Sequence, residues 1–211
     1  MTTPKPSALT TTIEQSHSAD NPLAALTAQV LHDLQHQHLW TSLRVHTTAT
    51  DLTQTPQSLP PENGEDEKTN LPTPIISGIP PQRIYTHPDE QLYMLDLGLR
   101  DADLPPERVY VFPATQGQKW SLRRLAAVFD ALPAPVVVNE PEGMMMMMMN
   151  SEDSDKARRL AKYFERRRQA MQKGEWGGKR ILMAMVDRQF GGDGTIVYYV
   201  VQEGIVKPRQ N

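Results

Sequence analysis

The sequence contains no cysteine. Disulfides and thiolate metal sites are therefore excluded, and nothing points to a small secreted scaffold. Apolar material is also scarce. Hydrophobic residues make up 38% of the chain, against the ~45–50% usual for globular proteins. No apolar run approaches the roughly 20 residues of a membrane-spanning helix. Residues 1–20 are rich in Thr, Ser and Pro and lack the apolar core of a secretory signal. A basic excess is missing too. The formal net charge is -3, which is not the footprint of a domain that holds nucleic acid by itself. The expectation is a soluble intracellular chain, cytosolic or nuclear.

What is abundant is proline, with 18 residues in a chain of 211. The prolines cluster in stretches with little to bury. We expect a tail over 1–20 and one α/β domain over 21–211. Disordered or weakly ordered insertions are expected at about 48–72 and 139–178. The second contains six consecutive methionines, Met144 to Met149, for which an adaptable binding surface is the functional reading. A repeat-expanded loop is the plainer one.

Between these stretches the pattern is regular. Asn21-Pro22 reads as a helix start, with Leu23, Leu26, Val30, Leu31 and Leu34 at helical spacing to about His38. Trp40 to Thr47, Pro74 to Ser77 and Arg83 to Tyr85 read as strands. His87-Pro88 opens a short helix that Gly98 stops. Arg108 to Phe112 is a buried strand. Ser121 caps a helix with Leu122, Leu125, Ala126, Phe129 and Leu132 on its apolar side. Lys156 to Lys173 favours helix but offers only Leu160, Tyr163 and Phe164 as a thin stripe, so weak docking is expected. Lys179 to Val186 and Thr195 to Gln202 form a hairpin through the loop Asp187 to Gly194. Gly204 permits a kink before Ile205 to Pro208. This order of elements implies a mixed sheet flanked by helices.

Four constellations could carry function. His32 and His36 share a helix face at a spacing that can chelate a metal, with His38 nearby. No further ligand stands at a supporting spacing, and a solvated helix end is the plainer reading. Tyr85 and His87 beside Lys179, or Lys207, could cleave RNA without metal. One group would deprotonate the 2′-hydroxyl, one would protonate the leaving oxygen, and the lysine would stabilise the phosphorane. The alternative is that Tyr85 packs and His87 caps the following helix. The basic residues Lys156, Arg158, Arg159, Lys162, Arg166, Arg167, Arg168 and Lys173 could follow an RNA backbone, or simply solubilise a helix. No pattern calls for a cofactor or a metal.

The C-terminal hairpin carries the clearest binding signal. TIVYYVVQ is apolar on both faces. Such a strand is either central in its own sheet or covered by a partner strand. The residues expected to make a partner contact are Val197, Tyr198, Tyr199, Val200 and Val201 on the strand. Gly204 and Lys207 lie beyond it, and Asp187 and Asp193 lie on the acidic loop.

KRILMAMVD and GTIVYYVVQEGIVKPRQN closely resemble the fungal small accessory subunit of the tRNA-splicing endonuclease. LHDLQHQHLWTSLRVHT, ISGIPPQRIYTHPDEQ and KWSLRRLAAVFDALP match in the same order. Together they cover most of the expected domain, but neither insertion and not the tail. The resemblance implies a nuclease-like α/β domain, akin to the tRNA-intron endonuclease catalytic domain and to restriction endonucleases. It implies a structural subunit of a four-subunit enzyme that excises introns from precursor tRNA. Two subunits of that enzyme carry Tyr/His/Lys triads. The partner would be a catalytic subunit, met through the C-terminal strand, with the acidic loop docking into a neighbour. Precursor tRNA would be met through the complex. A nuclear location is implied, with the cytosolic face of mitochondria as alternative. Tyr85 and His87 are only two residues apart, unlike the catalytic pattern, while Lys179 or Arg180 falls at the place of the catalytic lysine. The expectation is that the chain alone does not cut RNA.

Overall fold

The computed structural model describes residues 11, 21–48, 52, 70–133, 154–176, 178–186, 195–203 and 205–207. The chain divides into two compact units. One draws on Met1–Pro81, Glu107–Pro133 and Arg180–Asn211, the other on Gln82–Pro106 and Ala134–Lys179.

The first unit is built on a six-stranded sheet whose spatial order follows chain order. Its strands are β1 (Thr41–Thr48), β2 (Asn70–Ile79), β3 (Val109–Thr115), β4 (Arg180–Val186), β5 (Ile196–Gln202) and β6 (Ile205–Lys207). Neighbours are antiparallel except β3 and β4. A parallel pair needs a long crossover, and the connection from β3 to β4 carries helix α3 (Leu122–Ala131). The sheet is therefore mixed and the class α/β, as the order of elements implies.

Each face has its own helix. Helix α1 (Pro22–His36) starts where the Asn21 side chain accepts the Leu23 and Ala24 amides, with Pro22 in the first turn. It buries Leu26, Val30 and Leu34. It ends at His36, two residues before the expected His38. On the opposite sheet face Ser121 Oγ caps α3 by accepting the Arg124 amide. Val128, Phe129 and Leu132 then join Ile75, Phe112, Ala114, Ile181 and Val201 in one core. Leu52 joins that core as well, although its stretch offers almost nothing else to bury. Two details of α3 differ from expectation. Leu122 is 87% exposed, while Val128 is fully buried.

Gly78 on β2 allows the close approach of β1. A Cβ there would lie 2.7 Å from Leu43 Cδ2 and 2.9 Å from Trp40 Cε3.

The second unit holds α2 (Pro88–Asp96), a short 3-10 turn (Asp101–Asp103) and α4 (Ser154–Lys173). Met94, Leu99, Leu104, Leu160 and Tyr163 form its core, with Tyr93, Leu97 and Phe164 packed against them. The expected weak docking of α4 is corrected here: Tyr163 and Leu160 are buried. Sequence spacing undervalued Ala170, which is also buried, and Trp176 beyond the helix end. Residues 81–87 form no strand, against the expectation for Arg83 to Tyr85. Pro80 and Pro81 withhold two ladder donors just before it. Arg83 instead donates to Glu90 Oε1 and to the Tyr163 hydroxyl, both at 3.4 Å. Tyr163 donates to the same carboxylate at 2.6 Å, so Glu90 is buried with partners.

Candidate assembly surface

β5 is paired on both sides, by β4 along its whole length and by β6 over Val200–Gln202. A β-branched, apolar run on both faces is what a strand inside a sheet requires. The two faces of β5 nevertheless have different surroundings. In register with Ile76, Val111 and Leu182, Val200 belongs to the α1 face. Tyr198, two residues before it, shares that face. Its hydroxyl donates to Asp33 on α1 at 2.6 Å, and its ring meets His38 edge-on with centroids 5.1 Å apart. Burial, then the Asp33 carboxylate, push the Tyr198 phenol far above its ordinary value. This face is closed.

The α3 face opens progressively from β3 outward. Phe112, Met183 and Tyr199 form one cross-strand row, and Ala114, Met185 and Val197 the next. Phe112 and Ala114 are inaccessible to solvent, Met183, Met185 and Tyr199 are half-buried, and Val197 is 44% exposed. Val201 is sealed in the core beside Ile181. The open end is thus an apolar patch of Met183, Met185, Val197 and Tyr199. It adjoins an open backbone edge, because no strand among the described residues pairs with Ile196–Tyr199 on the side away from β4. Met183 and Met185 are absent from the expected contact set. Their signal was present in KRILMAMV, where they alternate with buried Leu182, Ala184 and Val186.

The expected contact residues therefore separate. Val197 and Tyr199 are on the open patch. Tyr198, Val200 and Val201 are buried within this unit. Lys207 stands opposite Val200 on β6. Asp187, Asp193 and Gly204 lie outside the described residues, as do the methionine run and the loop Asp187 to Gly194.

The alternative chemical groups are placed as follows. His87 is the N-cap of α2, its Nδ1 accepting the Asp89 amide at 3.3 Å. The same Nδ1 lies 3.6 Å from Asp89 Oδ2. Lys179 directly precedes β4. The His32 and His36 rings lie 4.5 Å apart. Among the described residues no three His, Asp or Glu side chains gather as a metal site.

The basic side chains of α4 are largely engaged. Lys156 pairs with Asp103 at 2.7 Å, which holds that carboxyl below the usual carboxylate range. Arg158 pairs with Asp155, Arg166 and Lys173 with Glu175, Arg167 with Glu90 and Arg168 with Glu165. Arg159 donates to the carbonyls of Asp155 and Leu97. This spent charge favours the solubilising reading of the helix over an RNA track.

No helix among the described residues is long and apolar enough to cross a membrane. Comparison with known proteins adds two findings. Residues 29–155 and 149–211 match the family described as Sen15 protein. The chain is also 35% identical over 204 residues to a Neurospora crassa protein named "Probable tRNA-splicing endonuclease subunit tsp-1", covering 95% of this chain and 72% of that one. No solved structure matches. With matches spanning its α1 helix, its sheet and its C-terminal strands, the chain belongs to the Sen15 family.

Proposed function

We propose that this chain is a non-catalytic structural subunit of the tRNA-splicing endonuclease, the complex that excises introns from precursor tRNA. The observation that carries this reading is the coincidence of an open edge at Ile196–Tyr199 with the apolar patch of Met183, Met185, Val197 and Tyr199. An unpaired edge and an adjoining apolar face together fit a partner strand that adds to the sheet and buries its side chains on the patch. The partner is a catalytic subunit, and the acidic loop Asp187 to Gly194 docks into a neighbouring one. The family and the tRNA-splicing name of the Neurospora relative support this assignment. The α/β class with a mixed sheet fits the nuclease-like domain the reading requires. The commitment of His87 Nδ1 to the α2 cap supports a role in assembly and not in cleavage. The complex works in the nucleus.

The test is affinity purification of the tagged chain from a nuclear extract. Its stable companions should include a catalytic endonuclease subunit, and the eluate should cleave precursor tRNA. A chain that elutes without such companions would overturn the proposal. So would a purified chain that by itself cuts precursor tRNA to 2′,3′-cyclic phosphate ends.

A further inference from the structure

The first unit carries a second polar feature, remote in sequence from the C-terminal strands. β1 is bulged: its register with β2 shifts between Thr41 and Arg44. Within the bulge Ser42 has a positive φ of 50°. Serine seldom adopts this conformation, and strained backbone of this kind is retained where it places a group. Here it turns the Ser42 carbonyl to Arg108, whose Nη1 donates to it at 2.9 Å. The same Nη1 donates to Ser77 Oγ at 3.0 Å, and Ser77 Oγ lies 2.8 Å from His46 Nε2. Ser77 and His46 are buried at the base. Arg44 stands opposite Ser77 in register, as does Tyr110 on the other side. These residues share one sheet face.

The arrangement brings two guanidinium groups to one sheet face. Neither Arg44 nor Arg108 forms an ion pair among the described residues, in contrast to the paired arginines of α4. Burial first, then the charge of Arg44, lowers the pKa of Arg108. Two facing cations on a built, partly buried framework are suited to an anion supplied from outside. Arg108 is held by one nitrogen, which leaves the rest of its fork to a ligand. The half-buried Tyr110 adds a hydroxyl with no hydrogen bond among the described residues, and a ring on the same sheet face. Donors from several directions fit a tetrahedral phosphate better than a planar carboxylate, and an aromatic ring beside it suits a flanking base.

We propose that Arg44 and Arg108, seated on Ser77, His46 and the Ser42 carbonyl, bind a backbone phosphate of RNA. This rests on the reading of the chain as a subunit of an RNA-processing complex, but its test needs no partner subunit. The full chain is labelled with 15N and titrated with a short single-stranded RNA while the arginine Nε–Hε signals are followed. The Arg44 and Arg108 signals should shift, and inorganic phosphate should compete. Arg44→Gln changes an exposed side chain that makes no hydrogen bond among the described residues, so folding is preserved. It should weaken binding and reduce the slope of log affinity against log salt by about 1. Lys162→Gln on α4 should leave both unchanged. The proposal is overturned if RNA leaves the two arginine signals unmoved. It is equally overturned if inorganic phosphate shifts them and RNA does not, or if Lys162→Gln weakens binding as much as Arg44→Gln. Failure to copurify with a catalytic subunit would instead sink the functional reading and leave this site standing.

Discussion

At the scale of single residues, Tyr198 shows what the sequence could and could not disclose. Its place in an apolar, β-branched strand was legible. Its hydrogen bond to Asp33 was not, because the two residues lie 165 apart and no local pattern encodes that pairing. The bond has a consequence at high pH. Burial raises the phenols of Tyr198, Tyr163 and Tyr110 above their ordinary value. The folded chain therefore keeps protons that the unfolded chain releases near pH 10. Their stabilising contribution is complete below pH 10 and is lost as pH rises beyond it. Urea unfolding followed from pH 8 to 11 should show stability falling above pH 10, by up to about 1.4 kcal/mol per pH unit for each tyrosine. Tyr198→Phe should flatten that slope and cost about 1–3 kcal/mol at neutral pH. An unchanged slope would contradict the assignment. His87 was the opposite case. A histidine before Pro88 with Asp89 and Glu90 behind it announces a helix start, and the cap is local.

At the scale of elements, α3 tests how far periodicity reaches. Its cap and its end were legible from Ser121 and Pro133. Its buried face was rotated relative to expectation, because spacing alone does not say how a helix is rolled onto its sheet. Leu122 lies in the first turn, outside the core, while Val128 sits over Phe112 and Ile75. Leu122→Lys should change the unfolding free energy by less than about 0.5 kcal/mol. Val128→Ala should cost about 2–3 kcal/mol. Equal effects in chemical denaturation would show that the helix is rolled differently. For α4 the expectation failed for a physical reason: three apolar residues make a thin stripe, but Tyr163 adds a hydrogen bond to the buried Glu90, on which Arg83 and Arg167 also converge. Glu90→Ala should cost about 3–5 kcal/mol, and Glu90→Gln less, since its amide oxygen still accepts from Tyr163. Amide exchange in α2 and α4 reads both, and a silent Glu90→Ala would refute the role of this network.

At the scale of the whole molecule, charge and apolar surface are distributed unevenly. The chain is acidic overall, and the cations of α4 are mostly consumed by neighbouring carboxylates. What the sheet leaves incompletely covered is the apolar end of β4 and β5. The sequence led to the expectation of a partner surface on this hairpin but could not distinguish its core residues from its available ones. That depends on the α3 core reaching Ile181 and Val201 but leaving Val197 44% exposed, and on β6 pairing with only Val200–Gln202 of β5. The proposed assembly surface thus narrows to Met183, Met185, Val197 and Tyr199, with Val201 in the core. Aspartate at Val201 would test folding. Aspartate at Val197 tests assembly, because that side chain is already 44% exposed. The decisive measurement is copurification of Val197→Asp with a catalytic endonuclease subunit, alongside the thermal midpoint of the isolated variant. The account predicts that association is lost while the midpoint stays within a few degrees of wild type. Association retained at wild-type strength would contradict it.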